Sequence, residues 1–195
     1  MSPFFYSGAI FGAWVISWFV AAIWSRRTTA RPPRGARVLD LGLTVAGAGL
    51  LAYSSRMREV YGGDGPFTWG FPLAIDWLLT GCVALGLVFT WWARLTLGDL
   101  WSGAVVRKEA HVVVRRGPYR LVRHPIYTGL IFALVALGVQ AGRPAGVAGA
   151  LLMALGFWTK ARLEERFLTA ELGDGDYAAY RRITPMLIPF WPTRG

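Results

Sequence analysis

The sequence predicts an all-helical integral membrane protein. We expect about five transmembrane helices, a polar pocket on the cytoplasmic face and a short C-terminal amphipathic helix. Hydrophobic residues make up 54% of the 195 residues and charged residues only 16%, below the roughly 25% that is usual in soluble domains. The apolar residues are gathered in long runs instead of alternating with polar ones, which is typical of membrane spans. Residues 1–195 are therefore expected to form a single membrane domain.

Five apolar runs account for the predicted spans. A helix rises about 1.5 Å per residue, so about 20 residues cross a hydrocarbon core of about 30 Å. The fifth run meets no helix breaker before Gly173 and is longer than the core, so its last part must emerge from the membrane. A short amphipathic piece and an interfacial tail follow. The runs cover residues 3–24, 38–55, 71–97, 125–141 and 145–173, and the amphipathic piece covers residues 174–182.

Residues 1–94 are expected to supply the first three helices. Gly8 and Gly12 form a GxxxG pair that suits close helix packing. Residues 47–52 match a GxGxxA dinucleotide fingerprint, but no strand precedes them and no acidic residue follows at the required distance. Small residues at a helix contact explain this match better. Asp76 lies near the start of the third run, where we expect a hydrated carboxylate at the membrane interface.

The distribution of charge indicates the orientation. Lys and Arg are abundant in the first, third and fifth polar segments and scarce in the second and fourth. Because positive loops stay in the cytoplasm, the N-terminus should lie outside and the C-terminus inside. The net charge of +10 therefore indicates membrane topology and not nucleic-acid binding. The single cysteine, Cys82, excludes an internal disulfide or a thiolate metal cluster, and we expect no metal site.

Two polar segments on the predicted cytoplasmic side carry the candidate chemistry. Residues 111–129 hold both histidines together with arginines and tyrosines, and residues 160–166 hold paired carboxylates. The sequence has no GxSxG nucleophile elbow and no phosphate-binding P-loop. A transporter would more often place its polar groups near the bilayer midplane. The pattern instead favours one binding site assembled at the membrane surface.

The motif Arg123–Gly129, RHPIYTG, resembles the RHPxYxG signature of the isoprenylcysteine carboxyl methyltransferase and phospholipid methyltransferase superfamily. The resemblance extends over about residues 95–192, and its upstream segments are similar to the family's bacterial members. It implies that residues 95–195 form a methyltransferase-like catalytic core, containing helices four and five and the tail, with a cofactor pocket on the cytoplasmic face of a bacterial inner membrane. The other similar segments are residues 97–102, 117–120, 164–168, 177–180 and 185–189.

The resemblance implies S-adenosylmethionine as cofactor and a lipophilic acceptor. Three acceptor classes stay open, an isoprenylcysteine-like carboxylate, an amino-lipid and a small lipophilic molecule, and membrane lipids are expected as further partners. A glutamate could accept hydrogen bonds from the donor's diol or ammonium, histidines could bind its carboxylate, and tyrosines could face adenine or the sulfonium cation. The expected cofactor-binding residues are His111, Val114, Gly117, Tyr119, His124, Pro125, Tyr127 and Glu164.

Three residues are candidates for catalysis. Methyl transfer is an in-line displacement, so positioning and charge placement dominate. Arg123 and Lys160 could orient a carboxylate acceptor, which needs no base. Glu165 is the candidate base if the acceptor is an amine or a thiol.

Two other functions remain open from the sequence. Membrane sterol reductases that use NADPH carry a similar RHPxY motif and a tyrosine-rich tail, although the Glu164–Glu165 pair favours a methyltransferase. A non-enzymatic membrane interaction protein is the second alternative. In that case Glu164 and Glu165 would pair with neighbouring basic residues on a solvated helix face. Under either function, Tyr177 and Tyr180 are expected to be packing or interface residues. The oligomeric state cannot be read from the pattern.

Overall fold

A computed structural model describes residues 2–23, 37–62, 67–98, 114–172 and 175–192. His111 lies outside these residues. The described chain is helical and contains no strand, so the all-α prediction is confirmed for it. The helices are α1 (Pro3–Ala22), α2 (Val38–Tyr61), α3 (Leu73–Leu97), α4 (Pro125–Gln140), α5 (Pro144–Leu172) and α6 (Asp176–Ile183), with a 3₁₀ helix at Gly117–Arg120.

Within the described residues, three helices are long and apolar enough to cross a membrane: α1, α2 and α3. Helix α4 is apolar but only 16 residues long. Helix α5 has 29 residues, and its last turns carry charged side chains. Large apolar side chains such as Phe19, Leu85 and Leu95 are exposed on the helix surfaces, as expected where lipid is the solvent. These features support a membrane protein, whereas the count of five spans stays a prediction.

The helices pack in pairs, with α2 against α5, α3 against α4, α4 against α5 and α1 against α3. Glycines allow two of these close approaches. A Cβ atom added to Gly47 of α2 would lie 2.6 Å from the Gly149 oxygen of α5, and one added to Gly86 of α3 would lie 2.6 Å from the Gly129 oxygen of α4. The GxGxxA segment is thus a helix contact, as predicted from its small residues.

The GxxxG pair of α1 behaves differently. A Cβ atom added to Gly8 or to Gly12 would meet nothing within 4 Å. Gly8 and Gly12 therefore make no close helix contact within the described chain, whose α1 contacts its neighbours through other side chains.

Asp76 also departs from expectation, because it is only 7% exposed. Its Oδ2 lies 3.3 Å from Nη2 of Arg58, and its backbone oxygen accepts a hydrogen bond from Nε2 of Gln140 at 3.0 Å. Asp76 is therefore a buried, paired carboxylate and not the hydrated one predicted. Burial of an acid so close to a helix end is possible because Arg58 and Gln140 arrive from other helices.

The tail is held against the start of α4. Backbone N–H groups of Arg123 and His124 donate to the oxygens of Pro185 and Met186 at 2.9 and 3.1 Å, and the Thr128 hydroxyl donates to the Leu187 oxygen at 2.7 Å. The tail thereby satisfies donors at a helix N-terminus that have no partner within the helix. This docking brings the tail beside the RHPxY motif.

Helix α6 is amphipathic, as predicted. Tyr177 and Tyr180 are buried, whereas Arg181 and Arg182 are exposed. The Tyr180 hydroxyl donates to the Tyr119 oxygen at 2.6 Å, so α6 packs on the 3₁₀ helix. This contact agrees with a packing role for Tyr180.

Candidate active site

The RHPxY motif, at the start of α4, contacts the Glu164–Glu165 pair, which lies on α5 just after the apolar part of that helix. His124 precedes α4, and Pro125 at the first helical position fits the helix start because that position needs no N–H donor. Nδ1 of His124 lies 3.3 Å from Oε2 of Glu164, and Nε2 lies 3.3 Å from Oε1 of Glu165. One imidazole thus bridges two carboxylates that are adjacent in the sequence.

Arg123 completes this cluster on the side of the tail. Its Nε lies 2.6 Å from Oε1 of Glu165. Its Nη1 donates to the Arg181 oxygen at 3.0 Å and to the Thr184 oxygen. Arg123 therefore ties α5 to α6 and to the start of the tail, and its guanidinium is fixed by three protein oxygens.

Tyr127 is fixed by Glu164 and by two neighbouring rings. Its hydroxyl donates to Oε1 of Glu164 at 2.5 Å. The ring stacks against His124, with centroids 5.7 Å apart, and against Phe157, with centroids 5.5 Å apart. Nζ of Lys160 lies 5.3 Å from the same ring. The aromatic and ionic contacts together immobilise the Tyr127 side chain.

The ionic state of the cluster follows from its contacts. Burial acts to lower the pKa of His124, but the hydrogen bonds and charges of Glu164 and Glu165 outweigh it and raise that pKa. Burial acts to raise the pKa of Glu165, but His124 and Arg123 outweigh it and lower the pKa to about 2. The pKa of Glu164 is lowered in the same way, chiefly by His124. These contacts therefore favour an imidazolium paired with two carboxylates.

The 3₁₀ helix supplies Tyr119. Gly117 begins it with φ of 58°, a backbone conformation that favours glycine, and a Cβ there would lie 3.0 Å from Oγ1 of Thr96. Tyr119 is only 7% exposed, and burial is the main cause that raises the pKa of its hydroxyl. Gly117 therefore allows close packing on α3, which in turn positions Tyr119.

Two cavities are lined by residues of this cluster, and Arg123 borders both. The smaller, which we call the polar cavity, has a volume of about 340 Å³. The larger, which we call the apolar groove, has a volume of about 860 Å³ and lies between α4, α5, α6 and the tail. Most of the predicted site residues line the polar cavity: Tyr119, Arg123, His124, Pro125, Tyr127, Lys160 and Glu164.

The remaining predicted residues that the structure describes do not border that cavity. Glu165 lines the apolar groove instead. Val114 is half-buried at the beginning of a described segment, and neither it nor Gly117 borders the polar cavity. His111 lies outside the described residues.

Several residues that border the polar cavity were not predicted, among them Trp18, Leu97, Phe157 and Leu168. Phe157, Lys160, Glu164 and Leu168 share one face of α5 at helical spacing, and this periodicity could have revealed two of them. Trp18 comes from α1, and nothing in the sequence connects α1 to the RHPxY motif. No cluster of three His, Cys, Asp or Glu side chains suited to a metal ion occurs among the described residues.

Comparison with known proteins gives a family match over the same region. The model of the isoprenylcysteine carboxyl methyltransferase (ICMT) family matches residues 78–170. These residues include α4, the RHPxY motif and the glutamate pair.

Three curated relatives are similar over parts of the chain. The cobalt-zinc-cadmium resistance protein CzcN of Cupriavidus metallidurans is 32% identical over 63% of this chain and 52% of its own length. Methanethiol S-methyltransferase of Mycobacterium tuberculosis is 44% identical over 44% of this chain and 32% of its own length. Protein-S-isoprenylcysteine O-methyltransferase of Schizosaccharomyces pombe is 33% identical over 57% of this chain and 48% of its own length.

The chain thus spans about half the length of these relatives or less. Two of the three relatives are named as methyltransferases, and the family model carries the same chemistry in its name. Residues 78–170 of this chain are therefore similar to the isoprenylcysteine carboxyl methyltransferase family, as its motifs predict.

Proposed function

We propose that this protein is an integral membrane methyltransferase that uses S-adenosylmethionine to methylate a lipophilic acceptor at the cytoplasmic membrane face. The observation that carries the proposal is the convergence of the RHPxY motif and the glutamate pair on one polar cavity. An imidazole bridging two buried carboxylates needs many coordinated contacts, and such clusters of ionisable groups with shifted pKa values are typical of functional sites. Structural packing alone would be satisfied by apolar side chains at these positions.

The residues of the polar cavity fit the chemistry of S-adenosylmethionine. Its diol and ammonium need acceptors, and the Glu164 carboxylate borders the cavity. Its carboxylate needs donors, and Lys160 and His124 border the same space. Its adenine and sulfonium suit aromatic walls, which Tyr119 and Phe157 supply. When bound, the cofactor supplies an activated methyl group.

Glu164 is the proposed anchor for the donor. It already accepts a hydrogen bond from the Tyr127 hydroxyl and is paired with His124. These two contacts fix the carboxylate, so less conformational freedom is lost when a ligand binds to it. Lys160 approaches the same site over the Tyr127 ring. His111, Val114 and Gly117 stay predictions for cofactor binding.

Arg123 and Glu165 are proposed to lie between the bound donor and the bound acceptor and to position both. Arg123 borders both cavities, and its ion pair with Glu165 places a fixed positive charge where the reacting groups would meet. A carboxyl with a pKa of about 2 holds a proton weakly near neutral pH. We therefore propose a positioning role for Glu165 in preference to a role as base.

The membrane arrangement completes the proposal. We infer that α1 to α5 cross a bacterial inner membrane, with the N-terminus outside and the site and tail on the cytoplasmic side. Both cavities would then lie near the surface, so a water-soluble donor can enter from the cytoplasm and an acceptor from the bilayer. Residues 1–94 would form a wall around the catalytic core of residues 95–195, within one membrane domain.

Binding of S-adenosylhomocysteine, the demethylated form of the donor, tests this function without an acceptor. We would titrate it by calorimetry into detergent-purified wild type, His124→Ala and Glu164→Gln. Glu59→Gln is the matched control, because Glu59 is an exposed glutamate outside both site cavities. The expected result is micromolar binding to wild type and control and a loss of about tenfold or more in both site variants. NADPH is titrated in the same way. Binding of NADPH without binding of S-adenosylhomocysteine would favour the reductase, and binding of neither ligand would favour an interaction protein.

A further inference from the structure

Exposed positive charge is concentrated at the end of the bundle that holds the site. Residues 114–123 and 175–192 together contain six arginines and a single acidic residue, Asp176. The proposed function uses the side chain of only one of these arginines, Arg123. The other five are exposed, and we call them the basic surface: Arg115, Arg116, Arg120, Arg181 and Arg182.

Packing of α6 on the 3₁₀ helix makes the basic surface continuous. The Tyr180 hydroxyl donates to the Tyr119 oxygen at 2.6 Å. The guanidinium carbon of Arg115 lies 5.8 Å from the centroid of the Tyr180 ring, so the segment before the 3₁₀ helix also contacts α6. Arginines from two distant parts of the sequence therefore share one surface, and their charges act together on an approaching anion.

Arginines near the opposite end of the bundle are arranged differently. Nη1 of Arg56 lies 3.6 Å from Oε2 of Glu59, and Nη2 of Arg58 lies 3.3 Å from Oδ2 of Asp76. Each of these positive charges is offset by a carboxylate within the protein. The basic surface is thus a local feature of the end that holds the site, and it needs negative charge from outside the chain.

Large apolar side chains continue the basic surface along α6 and the tail. Ile183 is 74% exposed, Phe190 is 90% exposed and Trp191 is 63% exposed. Phe190 has φ of 63°, a backbone conformation that bulky residues rarely adopt and that persists only where the surrounding structure imposes it. An acidic protein or a nucleic acid in water would leave these side chains uncovered. A bilayer surface accommodates both groups, since tryptophan is enriched at the membrane interface.

We propose that the basic surface, with the adjoining Ile183, Phe190 and Trp191, docks on the headgroups of anionic phospholipids in the leaflet next to the site. The arginines bind lipid phosphates through charge-assisted hydrogen bonds. The apolar side chains lie among the headgroups and the upper acyl chains. The lipid is a bound partner and not the methyl acceptor, so the inference does not depend on the proposed function.

Calorimetry with short-chain lipids tests this inference on the detergent-purified full chain, with empty micelles as reference. The probes are dihexanoyl phosphatidylglycerol, which is anionic, and dihexanoyl phosphatidylcholine, which has the same chains and no net charge. Glycerol 3-phosphate presents a phosphate without acyl chains. Arg120→Gln and Arg182→Gln each remove one charge from the basic surface. Arg56→Gln is the matched control, because Arg56 is exposed near the opposite end of the bundle.

We expect phosphatidylglycerol to bind at least about tenfold more tightly than either other probe, and its affinity to fall as NaCl is raised from about 0.1 to 0.5 M. Arg120→Gln and Arg182→Gln should each weaken its binding about fivefold, Trp191→Ser should weaken binding of both lipids, and Arg56→Gln should leave it unchanged. Equal affinity for the two lipids, or an equal loss in Arg56→Gln, would overturn the inference. Binding of glycerol 3-phosphate as tight as that of phosphatidylglycerol would also overturn it, in favour of a soluble phosphate compound.

Discussion

Nε of Arg123 lies 2.6 Å from Oε1 of Glu165, and both side chains are nine-tenths buried. This ion pair joins the residue before the HP dipeptide to the second glutamate of the pair on α5. The same Glu165 oxygen lies 3.3 Å from Nε2 of His124. One carboxylate oxygen therefore links the two motif segments, and Arg123 extends that link to α6 and the tail.

Replacing Arg123 by Gln should strongly destabilise the protein. The change leaves Glu165 buried with a weaker partner and removes the donor to the Arg181 and Thr184 oxygens. Breaking one side of a buried pair typically costs about 3–5 kcal/mol. Thermal unfolding in detergent should show a clear fall in Tm. An unchanged Tm, with the control Arg116→Gln also unchanged, would show that the pair contributes little to stability.

Stability should fall as pH rises above neutral because of His124. Its pKa is raised above the ordinary value of 6.5 by Glu164 and Glu165 acting against burial. The contribution is therefore complete below about pH 6.5 and is lost as pH rises through the raised pKa. A Tm series between pH 6 and pH 9 measures this, with His124→Gln as comparison. The variant should lack the decline, and an identical decline in both proteins would assign it to other groups.

Glu165 should have the opposite dependence at low pH. Its pKa is lowered from 4.5 to about 2, so its stabilisation is present above about pH 4.5 and is lost as pH falls towards 2. Wild type should lose Tm progressively across this window, and Glu165→Gln should start lower and lose less. A Glu165→Gln curve parallel to wild type would mean that other carboxylates govern acid unfolding.

Tyr127→Phe should weaken S-adenosylhomocysteine binding while leaving the fold intact. The variant keeps the ring that stacks on His124 and Phe157 but removes the 2.5 Å hydrogen bond that fixes Glu164. Loss of a hydrogen bond to a charged group is worth roughly 1.5–3 kcal/mol, so a loss of about tenfold or more in affinity is expected by calorimetry. Wild-type affinity in this variant would show that the hydrogen bond from Tyr127 to Glu164 does not contribute to S-adenosylhomocysteine binding.

Gly86→Ala should destabilise the crossing of α3 and α4 that places the RHPxY motif. The added Cβ would lie 2.6 Å from the Gly129 oxygen, which is backbone and cannot move aside alone, so a cost of about 1–3 kcal/mol is expected. Gly81→Ala is the matched control on the same helix, because nothing lies within 4 Å of its Cβ position. Equal Tm values for the two variants would contradict this account of the crossing.

Sequence patterns were most informative where they report local properties. The predicted runs coincide closely with α1, α3, α4 and α5 because apolar periodicity and proline mark helix limits. Helix α2 extends to Tyr61, beyond the predicted end at residue 55, because its last turns are amphipathic and Arg58 reaches the buried Asp76. An ion pair between two helices leaves no mark in either segment alone.

The site could be predicted only in part for the same reason. The motif and the glutamate pair are visible as residues, and most of them line the polar cavity. Their order in space is not visible, so the bridging of Glu164 and Glu165 by His124 could not be anticipated. Trp18 and the apolar groove were also missed, since both depend on how α1 and the tail pack. Gly8 and Gly12 suit close packing but contact no helix within the described chain, because a pattern of small residues does not specify a partner.

The most direct test of the central claim is to locate the donor in the polar cavity. We would irradiate the purified protein with radiolabelled S-adenosylmethionine and identify the cross-linked peptides by mass spectrometry. The account predicts cross-links within residues 119–130 and 157–168, lost in Glu164→Gln and displaced by unlabelled S-adenosylhomocysteine but not by NADPH. Cross-links confined to other parts of the chain, or labelling that NADPH displaces, would contradict it.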